Sequence, residues 1–244
     1  MASRERGGFW VGAFAVFFYP LNWIAKVTQR GNERIPREGG VLLAMNHVSH
    51  FDPVVDGVFV HRNKRVPRIL AKESVLHVPV FGRMARGVGT IPVYRGTTDA
   101  RRSLSAAVTA LAEGKLVVIY PEGTITKDPA GWPMYPRTGV ARLALDSDAP
   151  VLPVARWGTQ EILNGYTKKF RPFPRKSVRI SVGEPIDLSA YRDQPVTPEL
   201  LREVTNLVMG RVRDLVAEIR GEPAPEEFFR PPVVAKPADG ERTG

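Results

Sequence analysis

GGVLLAMNHVSHFDPVVDGVFVH, residues 39–61, holds a complete strand–turn–helix unit. Val41 to Met45 is a short unbroken apolar run behind the pair Gly39-Gly40, the pattern of a buried strand. Pro53 to His61 reads as a helix, because Pro suits the first helical turn. Between them lies Asn46-His47-Val48-Ser49-His50-Phe51-Asp52. A five-residue spacing puts His47 and Asp52 about 140° apart on a helix, and on opposite faces of a strand. Their side chains meet only if the backbone turns between them, and a strand ending near Met45 with a helix opening near Pro53 supplies the turn. Asp52 can then orient the imidazole through one ring nitrogen, while the other acts as general base toward a hydroxyl. Plainer readings stand beside this one. An Asp before Pro is a natural helix N-cap, and His47 can be a satisfied core histidine. His47, His50 and Asp52 can also be written as metal ligands, although the spacing matches no strong zinc pattern.

Outward from this unit, apolar runs and helical periodicity alternate. Strands are expected at Arg68–Ala71, Thr90–Tyr94, Leu116–Tyr120, Val151–Ala155 and Val178–Val182. Helices are expected at Ala100–Glu113, where Gly114 is a natural stop, at Gly139–Asp146, and at Thr197–Arg220 with Thr197 as its cap. This alternation predicts an α/β fold, a single domain whose mostly parallel sheet is flanked by helices. Ligands of such sheets sit beyond the carboxyl ends of the strands. His47, Arg95 and Glu122 each follow a predicted strand, as does Lys72. Arg95 and Lys72 are candidates to clamp a phosphate. Glu122 lies in the tight turn Tyr120-Pro121-Glu122-Gly123-Thr124. An ordinary turn and solvated surface cations are the plain alternatives.

The chain has 244 residues, 43% of them hydrophobic, and a formal net charge of +10. A basic chain seeks phosphates, whether on nucleic acid, anionic lipid or a nucleotide-bearing cofactor. No nucleic acid is expected, because no aromatic–basic module of that kind supports it. The absence of cysteine excludes disulfides and thiolate chemistry, and no Gly-x-Ser-x-Gly elbow offers a serine nucleophile. Phe9 to Val27, FWVGAFAVFFYPLNWIAKV, is aromatic at both ends and flanked by Arg4, Arg6, Lys26 and Arg30. Pro20 and Asn22 interrupt it before it reaches the roughly 20 apolar residues of a simple spanning helix. It is expected to lie in a membrane interface, with a buried core helix as the alternative. Three parts follow: residues 1–30 as an N-terminal, membrane-associated helical segment, 31–220 as the domain, with a polar linker over 28–40 leading into it, and 221–244 as a disordered tail.

Taken together, the blocks resemble the bacterial 1-acylglycerol-3-phosphate acyltransferase (PlsC-type) family. Asn46 to Asp52 looks like its N-H-x-S-x-x-D signature. Gly89-Thr90-Ile91-Pro92-Val93-Tyr94-Arg95 is similar to its second block, Tyr120 to Thr124 to its third, and Val151-Leu152-Pro153-Val154 to its fourth. Arg137-Thr138-Gly139 matches a basic segment between the last two, and the resemblance covers roughly residues 39–158. It implies an acyltransferase of phospholipid biosynthesis that moves a fatty acyl chain from a thioester to lysophosphatidic acid. In that role His47 and Asp52 are catalytic, and Arg95, Glu122, Gly123, Thr124 and Lys72 bind substrate. Backbone amides near Gly123 would stabilise the oxyanion. No resident cofactor or metal is implied, since acyl-CoA or acyl carrier protein is a co-substrate. The partners implied are a lysophospholipid acceptor and an anionic membrane surface, at the cytoplasmic face of the cell membrane, held peripherally or monotopically. The alternatives are another lipid hydroxyl as acceptor, on a lysophospholipid or glycolipid, or a non-catalytic lipid-binding protein. Tyr120 stands where Phe is usual, Pro92 where Phe is usual, and Ile125 where many members carry Arg.

Overall fold

Val41–Met45 forms the expected strand, β2, and is buried on both faces. The computed structural model describes residues 8–94 and 100–232. In chain order its elements are α1 (Phe9–Asn22), β1 (Ala25–Arg30), β2, α2 (Asp52–Arg62), β3 (Pro67–Lys72), α3 (Phe81–Gly87), β4 (Ile91–Val93), α4 (Ala100–Ala112) and β5 (Leu116–Ile119). They continue with α5 (Gly139–Leu145), β6 (Val151–Trp157), α6 (Thr159–Ile162), β7 (Lys176–Val182), α7 (Ser189–Arg192) and α8 (Pro198–Arg220). The strands make one sheet in the order β1-β7-β6-β2-β5-β3-β4. Five are mutually parallel, while β7 runs antiparallel to β6 and carries β1 alongside it in parallel.

Side-chain alternation along β2 sorts the core into two layers. Val41, Leu43 and Met45 face Val55 and Phe59 of α2. Leu42 and Ala44 face the layer built by α4, α5 and α8. Helix α8 opens as its sequence foretells, with the Thr197 hydroxyl accepting the Leu200 N–H at 3.2 Å. Both layers are wide apolar faces, so the sheet is held from two sides and the carboxyl ends of β2, β5 and β6 are left to meet at one edge.

Helix α1 runs on through Pro20, which interrupts the apolar stretch but not the helix. Proline near the C-terminal end of a helix removes a single backbone bond there, and packing offsets the loss. Val11, Phe14 and Phe18 bury against Val58, Val66 and Met84. The approach is close at Gly57, where an added Cβ would lie 2.4 Å from the Phe14 ring. The opposite face is exposed, including Phe9 and Val16. No helix among the described residues is long and apolar enough to cross a membrane.

Two expected boundaries are corrected. Ala25–Arg30, placed in the N-terminal segment and the linker, is the edge strand β1, in register with β7 from Ala25↔Lys176 to Arg30↔Ser181. Residues 221–232, expected within a disordered tail, return to the domain instead. Phe229 bridges to Met134, and the Arg230 guanidinium lies 3.9 Å from the Tyr135 ring centroid. Their apolar and aromatic anchors, spaced among Pro and Glu, are what hold this polar stretch down. The remainder of that tail, residues 233–244, lies outside the described residues.

Candidate active site

The dyad forms. His47 Nδ1 and Asp52 Oδ2 are 2.7 Å apart. The same carboxylate oxygen accepts the Val48 and Ser49 N–H groups, each at 2.8 Å. Asp52 is therefore not the cap of its own helix: Phe51 holds the N-cap position with no side-chain cap bond, and Asp52 closes the turn that precedes it. This is why His47 and Asp52 meet at a spacing that neither helix nor strand allows. The turn is fixed further by Ser49, whose hydroxyl donates to the Leu163 carbonyl at 2.6 Å and accepts the Phe51 N–H at 3.0 Å.

A buried ion cluster that sequence reasoning missed lies beneath the dyad. Asn46 exchanges two bonds with the Arg156 backbone, Asn46 Nδ2 to Arg156 O at 2.9 Å and Arg156 N to Asn46 Oδ1 at 2.8 Å. This side chain extends the β2–β6 ladder by one rung and brings Arg156 under the turn. Arg156 Nη2 lies 2.8 Å from Asp52 Oδ2, and Nη1 donates to both carboxylate oxygens of Asp56. Thr159 Oγ1 donates to Asp52 Oδ1 at 2.5 Å. Arg156, Asp52, Asp56 and Thr159 are all fully buried. Burial pushes the Asp52 carboxyl up, but Arg156 and the bonds from His47 and Thr159 outweigh it and hold the group at about 2. Asp52 thus stays ionised and orients the ring without itself taking a proton. Burial raises the Asp56 carboxyl despite Arg156.

Tyr120 joins the two parts. Its ring stacks on His47 at 4.4 Å and 15°, and its hydroxyl donates to Asp56 Oδ2 at 2.6 Å. Burial, with Asp56 beside it, raises the phenol and keeps its proton in place. A Phe here would supply the stack but not the bond.

Glu122, expected to bind substrate, is buried and braces the turn that carries His47 instead. Oε1 accepts the His47 N–H at 2.8 Å and Oε2 the Met134 N–H at 3.0 Å. From the other side the His47 carbonyl accepts the Thr126 N–H at 2.7 Å. Burial pushes the Glu122 carboxyl from 4.5 to about 8, against the pull of the two amides. The sign follows from the protonated native form: its contribution to stability is complete below about pH 4.5 and lost as the pH rises through about 8. Unfolding in denaturant should show stability declining by at most about 1.4 kcal/mol per pH unit across that window from this group. Glu122→Gln should flatten that slope; an unchanged slope would remove Glu122 as its source.

The other expected residues divide. Gly123 takes φ +70°, a conformation suited to glycine, and an added Cβ would lie 3.0 Å from Arg137 Nε. Its N–H donates to the Tyr120 carbonyl at 2.8 Å, so that amide is committed to the turn and is not an oxyanion donor. Thr124 is exposed on the same turn, and Lys72 is exposed at the carboxyl end of β3. Arg95 lies outside the described residues. His50 is drawn away from the dyad: its Nε2 accepts from Lys168 Nζ, and burial with Lys168 and His47 nearby lowers its basicity. His47, His50 and Asp52 therefore do not converge, and no group of three or more metal-ligating side chains forms among the described residues. Two signals point to the missed cluster: Arg156 is the lone cation in the apolar run Val151–Trp157, and Asp56 recurs one helical turn after Asp52.

Comparison with known proteins gives this arrangement its context. The profile of the acyltransferase family matches residues 26–157, from β1 to the end of β6, and so takes in His47, Asp52, Asp56, Tyr120, Glu122 and Arg156. An uncharacterized protein of Mycobacterium tuberculosis is 34% identical over 155 residues, 59% of this chain and 40% of its own length. The chain thus spans two fifths of that relative. A 1-acyl-sn-glycerol-3-phosphate acyltransferase of Borreliella burgdorferi is 29% identical over 181 residues, 72% of this chain and 69% of that protein. Among solved structures, the 1-acyl-sn-glycerophosphate (LPA) acyltransferase PlsC from Thermotoga maritima superposes with a TM-score of 0.63 at 25% identity, covering 85% of this chain and 80% of that one.

Proposed function

The chain belongs to the acyltransferase family, and we propose that it transfers a fatty acyl group from a thioester donor to the free hydroxyl of lysophosphatidic acid, giving phosphatidic acid. The observation that carries the chemistry is the 2.7 Å pairing of His47 Nδ1 with an ionised Asp52. A carboxylate that accepts from Nδ1 leaves the lone pair on Nε2. Nε2 takes the acceptor's hydroxyl proton as the oxygen attacks the thioester carbonyl. The tetrahedral intermediate collapses, the C–S bond breaks, and the departing thiolate receives the proton from the imidazolium. No covalent acyl-enzyme is needed, in keeping with a site that has no cysteine or serine elbow. Asp52, held charged by Arg156, stabilises the transient imidazolium.

The acceptor assignment rests on the resemblance of the motif blocks and on relatives named as acyltransferases of 1-acylglycerol-3-phosphate. In this reading Arg95 and Lys72 hold the acceptor's phosphate, and acyl-CoA or acyl carrier protein delivers the chain. The exposed outer face of α1, with Phe9, Val16 and Phe17, supports peripheral or monotopic association with a membrane, which this reading places at the cytoplasmic face. Ile125, buried where many members carry Arg, favours a second reading in which another lysophospholipid or a glycolipid is the acceptor.

Purified protein with a long-chain acyl-CoA or acyl carrier protein should release free thiol when lysophosphatidic acid is added, and faster than with lysophosphatidylcholine or a glycolipid. Highest turnover with one of the latter selects the second reading. No thiol release with any lipid hydroxyl would overturn both and leave a lipid-binding protein.

A further inference from the structure

Residues 168–176 read Lys-Lys-Phe-Arg-Pro-Phe-Pro-Arg-Lys, and the sequence has no acidic residue between Glu161 and Glu184. The stretch is the far limb of a hairpin between α6 and β7. The hairpin is closed by Asn164 N to Lys169 O at 3.1 Å and Arg171 N to Ile162 O at 2.7 Å. Phe170 is 55% and Phe173 63% exposed, although both are large apolar side chains. Phe173 stands edge-on to Trp23, itself 59% exposed, at a centroid distance of 6.4 Å. The Arg175 guanidinium covers the Trp23 ring at 4.7 Å. Beside them a cavity of about 410 Å³ is lined by Lys26, Arg62 and Arg175 and by no acidic side chain.

The position of this surface matters as much as its chemistry. Because β7 is antiparallel to β6, Lys176 starts β7 at the end of the sheet where β2, β5 and β6 finish. The hairpin touches the catalytic turn directly, with Ser49 donating to Leu163 and Lys168 to His50. Tyr166 donates its hydroxyl to the carbonyl of Thr126, the residue whose own N–H donates to the His47 carbonyl.

We infer that the hairpin 163–176, continuous through Trp23 with the outer face of α1, is a second bilayer contact that seats the site on anionic lipid. Exposed aromatics interleaved with cations match the interface of an anionic leaflet, where rings enter the headgroup layer and basic side chains meet phosphate. A purely electrostatic partner such as an acidic carrier protein would use the cations and leave Phe170 and Phe173 without a role. The inference rests on the reading of the acceptor as a membrane lipid, and it places the dyad at the surface where such a lipid resides.

The test uses the full chain, sedimented with vesicles of phosphatidylcholine alone or with added phosphatidylglycerol. Two double variants, Phe170→Ser/Phe173→Ser and Lys169→Glu/Arg171→Glu, leave α1 and the dyad intact, so a loss reports on the hairpin. Wild type should prefer the anionic vesicles. The charge-reversed variant should lose at least about 25-fold in partitioning, about fivefold for each basic side chain, and the serine variant at least about tenfold. Melting and turnover on a detergent-dispersed, short-chain acceptor should stay at wild-type values in both. Unchanged partitioning of either variant overturns the inference. So does a charge reversal that weakens only the binding of acyl carrier protein, which would assign the surface to the donor. Vesicle binding is read without turnover, so an inactive chain that still partitions would count against the acceptor reading and leave this surface standing.

Discussion

Replacing His47 with Ala should lower acyl transfer by at least about a thousandfold, the upper part of the range for removing a general base. The fold should survive. The imidazole is partly exposed, and Asp52 keeps Arg156, Thr159 and two backbone amides as partners. His47→Asn separates packing from chemistry, because its amide can still donate toward Asp52 yet cannot carry a proton. Both variants should melt close to wild type and both should fail in the thiol-release assay. Activity retained by either would sink the assignment of His47 as base. The same variants bear on the non-catalytic alternative, since a chain that merely binds lipid would behave alike with or without the imidazole.

Arg156→Met should produce the largest loss of stability. The guanidinium lies between two buried carboxylates, Asp52 and Asp56. Burial alone works against its charge, but the two carboxylates outweigh that and keep it protonated. Removing one member of such a cluster leaves uncompensated charge in a medium that solvates it poorly, at a cost of about 3–5 kcal/mol. In a domain of this size that corresponds to a fall in melting temperature on the order of 10 °C. The added substitution Asp56→Asn should recover part of the loss, because it deletes one stranded charge and keeps an acceptor for the Tyr120 hydroxyl. The paired change would then be milder than the single one, opposite to independent sites whose costs add. A double variant no more stable than Arg156→Met, judged by denaturant midpoints, would show that the cluster's charge balance is not what holds the turn.

The contrast between the dyad and the cluster beneath it shows where a sequence speaks plainly. Val41–Met45 and the helix opening at Asp52 announce themselves by apolar runs and by Pro53, and the turn they force brings His47 to Asp52. The helices α4, α5 and α8 carry their periodicity openly in the same way. Arg156 is harder to see because a search for apolar runs ends β6 at Ala155, whereas the strand continues through Trp157. An arginine is tolerated there only because two carboxylates of α2 face it, and that pairing spans about a hundred residues of chain. Asp56 is hidden likewise inside an apolar helix. The edge strand β1 carries little apolar signal in Lys-Val-Thr-Gln-Arg and finds its partner, β7, only at the far end of the chain. Glu122 follows a strand as expected, but which way its carboxylate turns depends on Met134 and the His47 amide, neither of which local pattern reveals.

The rung formed by Asn46 and Arg156 has a consequence for how competence arises during synthesis. Arg156 and Thr159, which hold the Asp52 carboxylate from below, belong to β6 and to the residue opening α6, so the charge balance beneath the dyad is a non-local property that closes a loop of more than a hundred residues. Loops of that length close late relative to helices and turns. As the chain leaves the ribosome, β2 and α2 can be complete while Asp52 has no cation beneath it. In the proposed mechanism the charge beneath Asp52 is balanced only once the end of β6 and the start of α6 have docked, so turnover would report completed assembly of the domain.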